Sequence, residues 1–152
     1  MRVLALDLGS KRIGVAVSDR SGTIATPLTV LARSGDVARD HARIAALVAE
    51  EEAGRVIVGL PLSLDGSLGP AARAAQAETE ALAGAVPVPV EAFDERLTTV
   101  TADRALTEAG MRADARRLVV DKVAAAVILQ AWLDRRAGMD QREVAPPSSP
   151  SA

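Results

Sequence analysis

The chain of 152 residues has no cysteine and no tyrosine, and it has one phenylalanine, one tryptophan and one histidine. The absence of cysteine excludes disulfides, thiol catalysis and cysteine-bound zinc, and a single histidine excludes a histidine-rich metal centre. So few aromatic rings predict a core of alanine, valine, leucine and isoleucine, and argue against binding of single strands by base stacking. A catalytic metal site in this composition would use oxygen ligands, as Mg²⁺ and Mn²⁺ do.

No apolar run reaches the roughly 18 residues of a membrane span, and no signal-peptide pattern opens the chain, so we expect a cytoplasmic protein with no membrane partner. The formal net charge of −2 does not by itself indicate a nucleic-acid binder. All but two of the 18 basic residues are arginines. Arginine suits phosphate, although genome composition is the commoner cause of such a bias.

Apolar segments alternate with amphipathic ones in the order β-β-β-α-β-α-β-α-α. This order predicts an α/β fold with a mixed five-stranded sheet and helices on both faces. The predicted strands are 2–8, 13–18, 23–31, 55–60 and 86–92.

Capping and breaking residues set the predicted helix bounds. The first helix runs from its cap Asp36 to about Glu52, and the second begins at Pro70. The third begins after Thr98 or Thr99 and ends at Gly110, and the last runs from its cap Asp114 to Gly138. Residues 1–138 therefore form one domain, and residues 139–152, rich in proline and serine, form a disordered tail.

Three carboxylates stand where the pattern predicts apolar surroundings. Asp7 interrupts a strand that is apolar on both faces, Glu95 follows the fifth strand directly, and Asp121 lies on the apolar stripe of the last helix. Each has an ordinary explanation: a turn-forming acid before Gly9, a loop acid paired with Arg96, or a helix cap.

Together the three acids predict a metal site. The carboxyl ends of parallel strands form the ligand crevice of an α/β sheet, and a final helix across that sheet can bring Asp121 to Asp7 and Glu95. Converging carboxylates need neutralisation, for which Mg²⁺ or Mn²⁺ is the natural partner. Two such ions would suit phosphodiester cleavage.

Four segments resemble motifs of the YqgF family, also called RuvX, and occur in the family's order. They are residues 7–19 (DLGSKRIGVAVSD), 58–66 (VGLPLSLDG), 94–99 (DERLTT) and 121–130 (DKVAAAVILQ).

The resemblance implies a ribonuclease H-like fold related to the Holliday junction resolvase RuvC. It implies a nuclease that matures the 5′ end of the small-subunit ribosomal RNA precursor, or a resolvase of branched DNA. The family's acidic triad falls on Asp7, Glu95 and Asp121, and Asp94 could replace Glu95 in a different register.

Basic residues near these motifs are candidate contacts to nucleic-acid phosphates, with solvated surface charge as the ordinary alternative. Where the family often has a basic run before the last aspartate, this chain has Leu118, Val119 and Val120, which weakens that assignment. The candidates are Lys11, Arg12, Arg96, Arg112, Arg116, Arg117 and Lys122.

The leading hypothesis is a metal-dependent endonuclease, which as a resolvase would act as a symmetric homodimer. One rival is a nucleic-acid or ribosome-associated binding module without catalysis. Another is an actin-like sugar kinase, which needs two such domains and does not fit this length. We expect His41 to be a packed residue at the edge of the core, and Trp132 to be core or a dimer contact.

Overall fold

The computed structural model describes residues 1–98 and 113–144, with side chains for residues 1–98 and 123–139. In this part of the chain there are five strands, three helices and a short 3₁₀ turn at Glu95–Leu97. The strands are β1 (Arg2–Leu8), β2 (Arg12–Ser18), β3 (Ala25–Ala32), β4 (Ala53–Leu60) and β5 (Val90–Asp94). The helices are α1 (Val37–Glu50), α2 (Pro70–Ala83) and α3 (Ala113–Val144).

The strands form one sheet in the order β3-β2-β1-β4-β5. The first three strands pair antiparallel because short turns join them, whereas β4 and β5 follow helices and pair parallel, β4 with β1 and β5 with β4. The predicted mixed five-stranded sheet is confirmed, with β5 at its edge.

Helices cover both faces of the sheet, as predicted. On one face, alternate residues of β1 and β4 pack against α1 and α2, including Leu4, Leu6 and Val58 with Ile44 and Leu82. On the other face, the intervening residues pack against α3, including Val3, Ala5 and Ile57 with Ile128 and Leu129. We call these the α1/α2 face and the α3 face.

The predicted start of α1 is confirmed by its cap, because the Asp36 carboxylate accepts hydrogen bonds from the amides of Ala38 and Arg39 at 3.0 and 3.3 Å. Its end is two residues earlier than predicted, at Glu50, and Glu52 turns the chain with a φ of 53°. The strand β4 therefore begins at Ala53, before the predicted Arg55.

Two other strand bounds were wrong. The predicted third strand begins at Ala25 instead of Thr23, because the Asp19 carboxylate accepts the amides of Thr23 and Ile24 and holds them in a turn. The fifth begins at Val90 instead of Val86 because Pro87 and Pro89, which lack an N–H, precede it.

The helix α3 is longer than predicted in both directions. Asp114 lies inside it and is not its cap, and it continues through Gly138 to Val144. The first residues of the segment predicted as a tail are thus helical, while residues 145–152 and the predicted third helix lie outside the described residues. No helix in the described part of the chain is long and apolar enough to cross a bilayer.

Candidate active site

Asp7 lies buried at the carboxyl end of the central strand. Only 4% of it is exposed, and in β1 it pairs with Gly14 of β2. Side chains alternate along a strand, so Asp7 lies on the same face as Ala5, which packs in the α3 cluster. The carboxylate therefore belongs to the α3 face.

Glu95 lies at the same edge of the sheet, directly after β5, the parallel neighbour of β4. It begins the 3₁₀ turn directly after β5, and only 6% of it is exposed. Its side chain lies against Gly59 of β4, where a methyl group in place of the glycine hydrogen would stand 2.7 Å from Glu95 Oε1 and 2.6 Å from Ile128 Cδ1. The parallel register pairs Leu6 with Val58, so the next residues along, Asp7 and Gly59, are neighbours at the sheet edge.

Gly59 is a residue of the candidate site that the sequence reasoning did not single out. A glycine inside an apolar strand marks a close approach by another group, and here the approaching groups are Glu95 and Ile128. That signal was available in the sequence of β4.

Asp94, the neighbour of Glu95, makes its hydrogen bonds with Arg96. Its carboxylate caps the 3₁₀ turn by accepting the Arg96 amide at 2.9 Å, and it accepts the Arg96 guanidinium at 2.7 Å. The hydrogen bond from the Arg96 side chain is the main reason that the pKa of Asp94 lies below its usual value. The burial of Glu95 against Gly59 favours it over Asp94 as the site carboxylate.

Arg96, a candidate phosphate contact, is bound to Asp94 and lies under the loop that precedes α2. Its Nη1 donates to the Leu64 carbonyl at 3.4 Å. Gly66 has a φ of +87°, and a side chain there would stand 3.1 Å from the same nitrogen. Arg96 thus joins the end of β5 to this loop, at the edge that carries the acids.

Lys11 and Arg12 lie at the other side of the edge, in and after the β1–β2 turn. Lys11 is exposed and Arg12 is half-buried at the start of β2. The turn is closed by a hydrogen bond from the Gly9 amide to the Arg12 carbonyl at 2.9 Å. Lys11 is therefore accessible to solvent in the turn that follows β1.

The role of Arg33 was not predicted. Its hydrogen bonds connect the β1–β2 turn to α2. Its Nε donates to the Gly9 carbonyl at 2.7 Å, and its two Nη atoms donate to the Glu78 carboxylate at 2.9 and 2.8 Å. His41 lies 2.9 Å from the same carboxylate and is buried, which confirms it as a packed residue. Nothing in the local sequence pattern pairs Arg33 with Glu78.

The third predicted acid is carried by α3. Leu133 lines a cavity together with Met1 and Val3, at the amino end of β1, whereas Ile128 lies beside Gly59, near the carboxyl end of β4. The helix therefore crosses the sheet toward the edge where Asp7 and Glu95 lie, and Asp121 is a further two turns on, about 10 Å at 1.5 Å per residue.

Several predicted site side chains lie outside the described residues. Among the side chains of residues 1–98 and 123–139, no group of three acids or histidines is arranged to hold a metal ion. The predicted residues whose side chains lie outside this set are Arg112, Arg116, Arg117, Asp121 and Lys122.

A family model described as RuvX, Holliday junction resolvase, matches residues 1–135. This chain belongs to the RuvX family. A protein of Mycobacterium sp. (strain KMS) named "Putative pre-16S rRNA nuclease" is 51% identical over 136 residues, which are 89% of this chain and 80% of that protein. A protein of Pelotomaculum thermopropionicum with the same name is 46% identical over 143 residues, 94% of this chain and 92% of that protein.

Two solved RuvC structures share the fold of this RuvX chain. "T. thermophilus RuvC in complex with Holliday junction substrate" matches with a TM-score of 0.58 and 21% identity, covering 91% of this chain and 96% of that one. A second, "Thermus thermophilus RuvC structure", matches with a TM-score of 0.54 and 20% identity over 91% and 97% of the two chains. The ribonuclease H-like fold implied by the sequence motifs is confirmed. The family is one of nucleases, which are hydrolases.

Proposed function

We propose that this RuvX chain is a divalent-metal-dependent endonuclease of the cytoplasm that hydrolyses phosphodiester bonds in precursor 16S ribosomal RNA. The names of its relatives support the substrate. The observation that carries the chemistry is the placement of two buried carboxylates, Asp7 and Glu95, at one sheet edge on the face crossed by the helix of Asp121.

The residues at this edge fit a hard cation. Asp7 and Glu95 supply carboxylate oxygens, the ligands that Mg²⁺ and Mn²⁺ prefer, and Asp121 supplies the third carboxylate from α3. A cation bound there would offset the negative charge that these carboxylates bring together. When bound, such an ion lowers the pKa of water and offsets charge on the leaving oxygen.

The protein's own residues would hold the scissile strand against this edge. Lys11 is exposed in the turn that follows Asp7, and Arg12 begins the next strand. Arg96 lies beside Glu95, with its charge partly offset by Asp94. Arg112, Arg116, Arg117 and Lys122 supply further positive charge close to Asp121 in sequence. Contacts of this kind position the phosphate backbone without reading base sequence.

Substitution of Asp7 by asparagine tests the proposal. We expect Asp7→Asn to lose precursor-RNA cleavage by more than about 100-fold, since loss of groups that only support metal ligands already costs 10–100-fold. Asp36→Asn is the matched control, because asparagine caps a helix as well as aspartate does. Calorimetric titration with Mn²⁺ should show heat of binding for the wild-type and Asp36→Asn chains only. Full cleavage by Asp7→Asn would contradict the metal-site assignment.

Cleavage of branched DNA is the second candidate activity. The RuvX family description and the match to RuvC in complex with a Holliday junction favour it. A resolvase cuts two strands and would act as a symmetric homodimer. Parallel assays on precursor RNA and a four-way DNA junction, with sedimentation to measure oligomeric state, decide between the two. RNA binding that persists in EDTA, with no cleavage of either substrate, would instead indicate a binding module.

A further inference from the structure

A cavity of about 370 Å³ opens on the α3 face between α3 and the edge strand β5. It lies away from the acidic edge and has no part in the site described above. Its charged lining consists of three arginines and one glutamate, and its remaining lining is apolar. The lining residues are Arg55, Glu91, Phe93, Trp132, Arg135, Arg136 and Met139.

The positive charge in this cavity exceeds the negative charge. Arg55 Nη1 is 3.6 Å from Glu91 Oε1, too far for a good hydrogen bond, and Arg55 Nε is buried with no hydrogen-bond partner among the described residues. Glu91 also accepts a hydrogen bond from the Trp132 indole N–H, so its charge is shared. Arg135 and Arg136 add two exposed guanidinium groups. A chain with a formal net charge of −2 thus presents a local excess of cations here.

One of the arginines, Arg136, is also held in place by the wall of the cavity. The Arg136 guanidinium carbon lies 5.1 Å from the centre of the Trp132 ring, which orients it by a cation–π interaction. Trp132 is only 8% exposed and packs in the core, so it is a platform for the arginine and not for a base. Oriented guanidinium groups bind phosphate through pairs of hydrogen bonds.

The cavity lies on a path that leads from the acidic edge. Glu91, in its wall, precedes Glu95 by four residues, a separation of about 13 Å in extended chain. On α3, Trp132 of the cavity follows Ile128, which lies beside Gly59 together with Glu95. At roughly 3.4 Å per nucleotide of a stacked strand, this distance corresponds to about four nucleotides.

We propose that the arginine cavity (Arg55, Arg135 and Arg136 around Trp132) binds a backbone phosphate of the nucleic-acid substrate, about four nucleotides from the bond that is cut. The inference rests on the proposed nuclease function and adds to it a second anchoring point. A phosphate contact of this kind positions the backbone and carries no direct sequence information.

The test measures RNA binding apart from cleavage. Arg135→Ala and the matched control Arg39→Ala, an exposed arginine of α1 on the opposite side of the sheet, are each combined with Asp7→Asn. Affinity for a fluorescein-labelled 20-nucleotide single-stranded RNA is measured by anisotropy in EDTA over a range of KCl concentrations. Because both variants lose one positive charge, any difference between them reports the position of that charge.

We expect Arg135→Ala to weaken binding about tenfold and to lower the slope of log affinity against log salt by about 0.7. The Arg39→Ala control should change neither quantity. In chains that retain Asp7, Arg135→Ala should raise KM for cleavage and leave kcat unchanged, since the cavity is remote from the reacting atoms.

Three outcomes overturn the inference and leave the nuclease proposal standing. The first is equal affinity and equal salt slope for the Arg135→Ala and Arg39→Ala chains that bind RNA. The second is a change in oligomeric state on sedimentation of Arg135→Ala with RNA affinity intact, which would make the cavity an interface between copies. The third is cleavage of RNA by wild type while no chain binds the labelled strand in EDTA. Failure of the nuclease proposal is seen separately, as absence of cleavage by wild type.

Discussion

The two faces of the sheet use the same strands for different purposes. Apart from Arg2, which pairs with Glu51 at the end of α1, the residues of β1 and β4 that face α1 and α2 are not charged. Those that face α3 include a buried carboxylate and a guanidinium. The α1/α2 face presents Leu4, Leu6, Val56 and Val58, and the α3 face presents Val3, Ala5, Asp7, Arg55, Ile57 and Gly59. The α1/α2 face forms a continuous apolar core. On the α3 face, charged residues replace apolar ones near both ends of the strands.

The buried acids of the two faces differ in where they lie and in which groups surround them. Glu78, between α1 and α2, is held by Arg33 and His41 in an ion-paired group that joins both helices to the Gly9 turn. Asp7 and Glu95 lie instead at an edge, beside a glycine that leaves room for a side-chain oxygen. Burial of an acid therefore does not by itself indicate a site, and its neighbours decide whether its role is structural or chemical.

The adjacent acids Asp94 and Glu95 give the largest expected difference. Glu95→Gln should lower cleavage by more than about 100-fold, because it removes a charged ligand from the α3 face. Asp94→Asn should keep cleavage within a few-fold, because it affects only the cap and the pairing with Arg96. Initial rates at saturating Mg²⁺ compare the two variants. The reverse order of effects would show that the register is shifted by one residue and that Asp94 is the ligand.

A substitution at Gly59 also tests the α3 face, with a smaller expected effect. Gly59→Ala introduces a methyl group 2.6 Å from Ile128 Cδ1 and 2.7 Å from Glu95 Oε1, so we expect a loss of about 1–3 kcal/mol in unfolding free energy together with lower activity. Adding Ile128→Val removes the Cδ1 atom and should recover part of the stability, measured by urea unfolding. Activity should stay low, because the methyl group still displaces Glu95. Recovery of activity with stability would mean that Gly59 matters only for packing.

The sequence predicted the sheet and the three acids because both depend on local patterns. An acid inside an apolar segment stands out, as Asp7 does, and the strand that precedes Glu95 places it at the carboxyl edge. The family resemblance supplied the assignment of the triad and of the fold. The comparison with RuvC confirms the fold. The roles of the triad residues stay predictions.

What the sequence did not predict depends on contacts between distant residues. Arg33 and Glu78 are separated by 45 positions, and neither lies in a pattern that requires the other. Arg55 was seen only as the start of a strand, although it contributes positive charge to the arginine cavity with residues of α3. The start of β3 was missed because Asp19 takes the amides of Thr23 and Ile24 in a turn.

We expect the smallest effect from the ion-paired group of Glu78, Arg33 and His41 on the α1/α2 face. Its contribution to the unfolding free energy depends on pH. Burial raises the pKa of Glu78, but the hydrogen bonds and charges of Arg33 and His41 outweigh it, so the pKa lies below the ordinary value of 4.5. An acid whose pKa is lowered by folding stabilises the protein fully above its unfolded pKa, and this contribution is lost as the pH falls through the folded pKa.

Glu78→Gln should therefore lower the unfolding free energy by about 1 kcal/mol at pH 7 relative to wild type, as measured by urea denaturation. The difference should shrink at pH 3, where the wild-type carboxylate loses its charge. Glu80→Gln, an exposed acid of the same helix, is the control and should change stability little at either pH. If Glu78→Gln is destabilised equally at pH 7 and pH 3, the ionised carboxylate does not hold α1 to α2, and apolar packing alone stabilises this face.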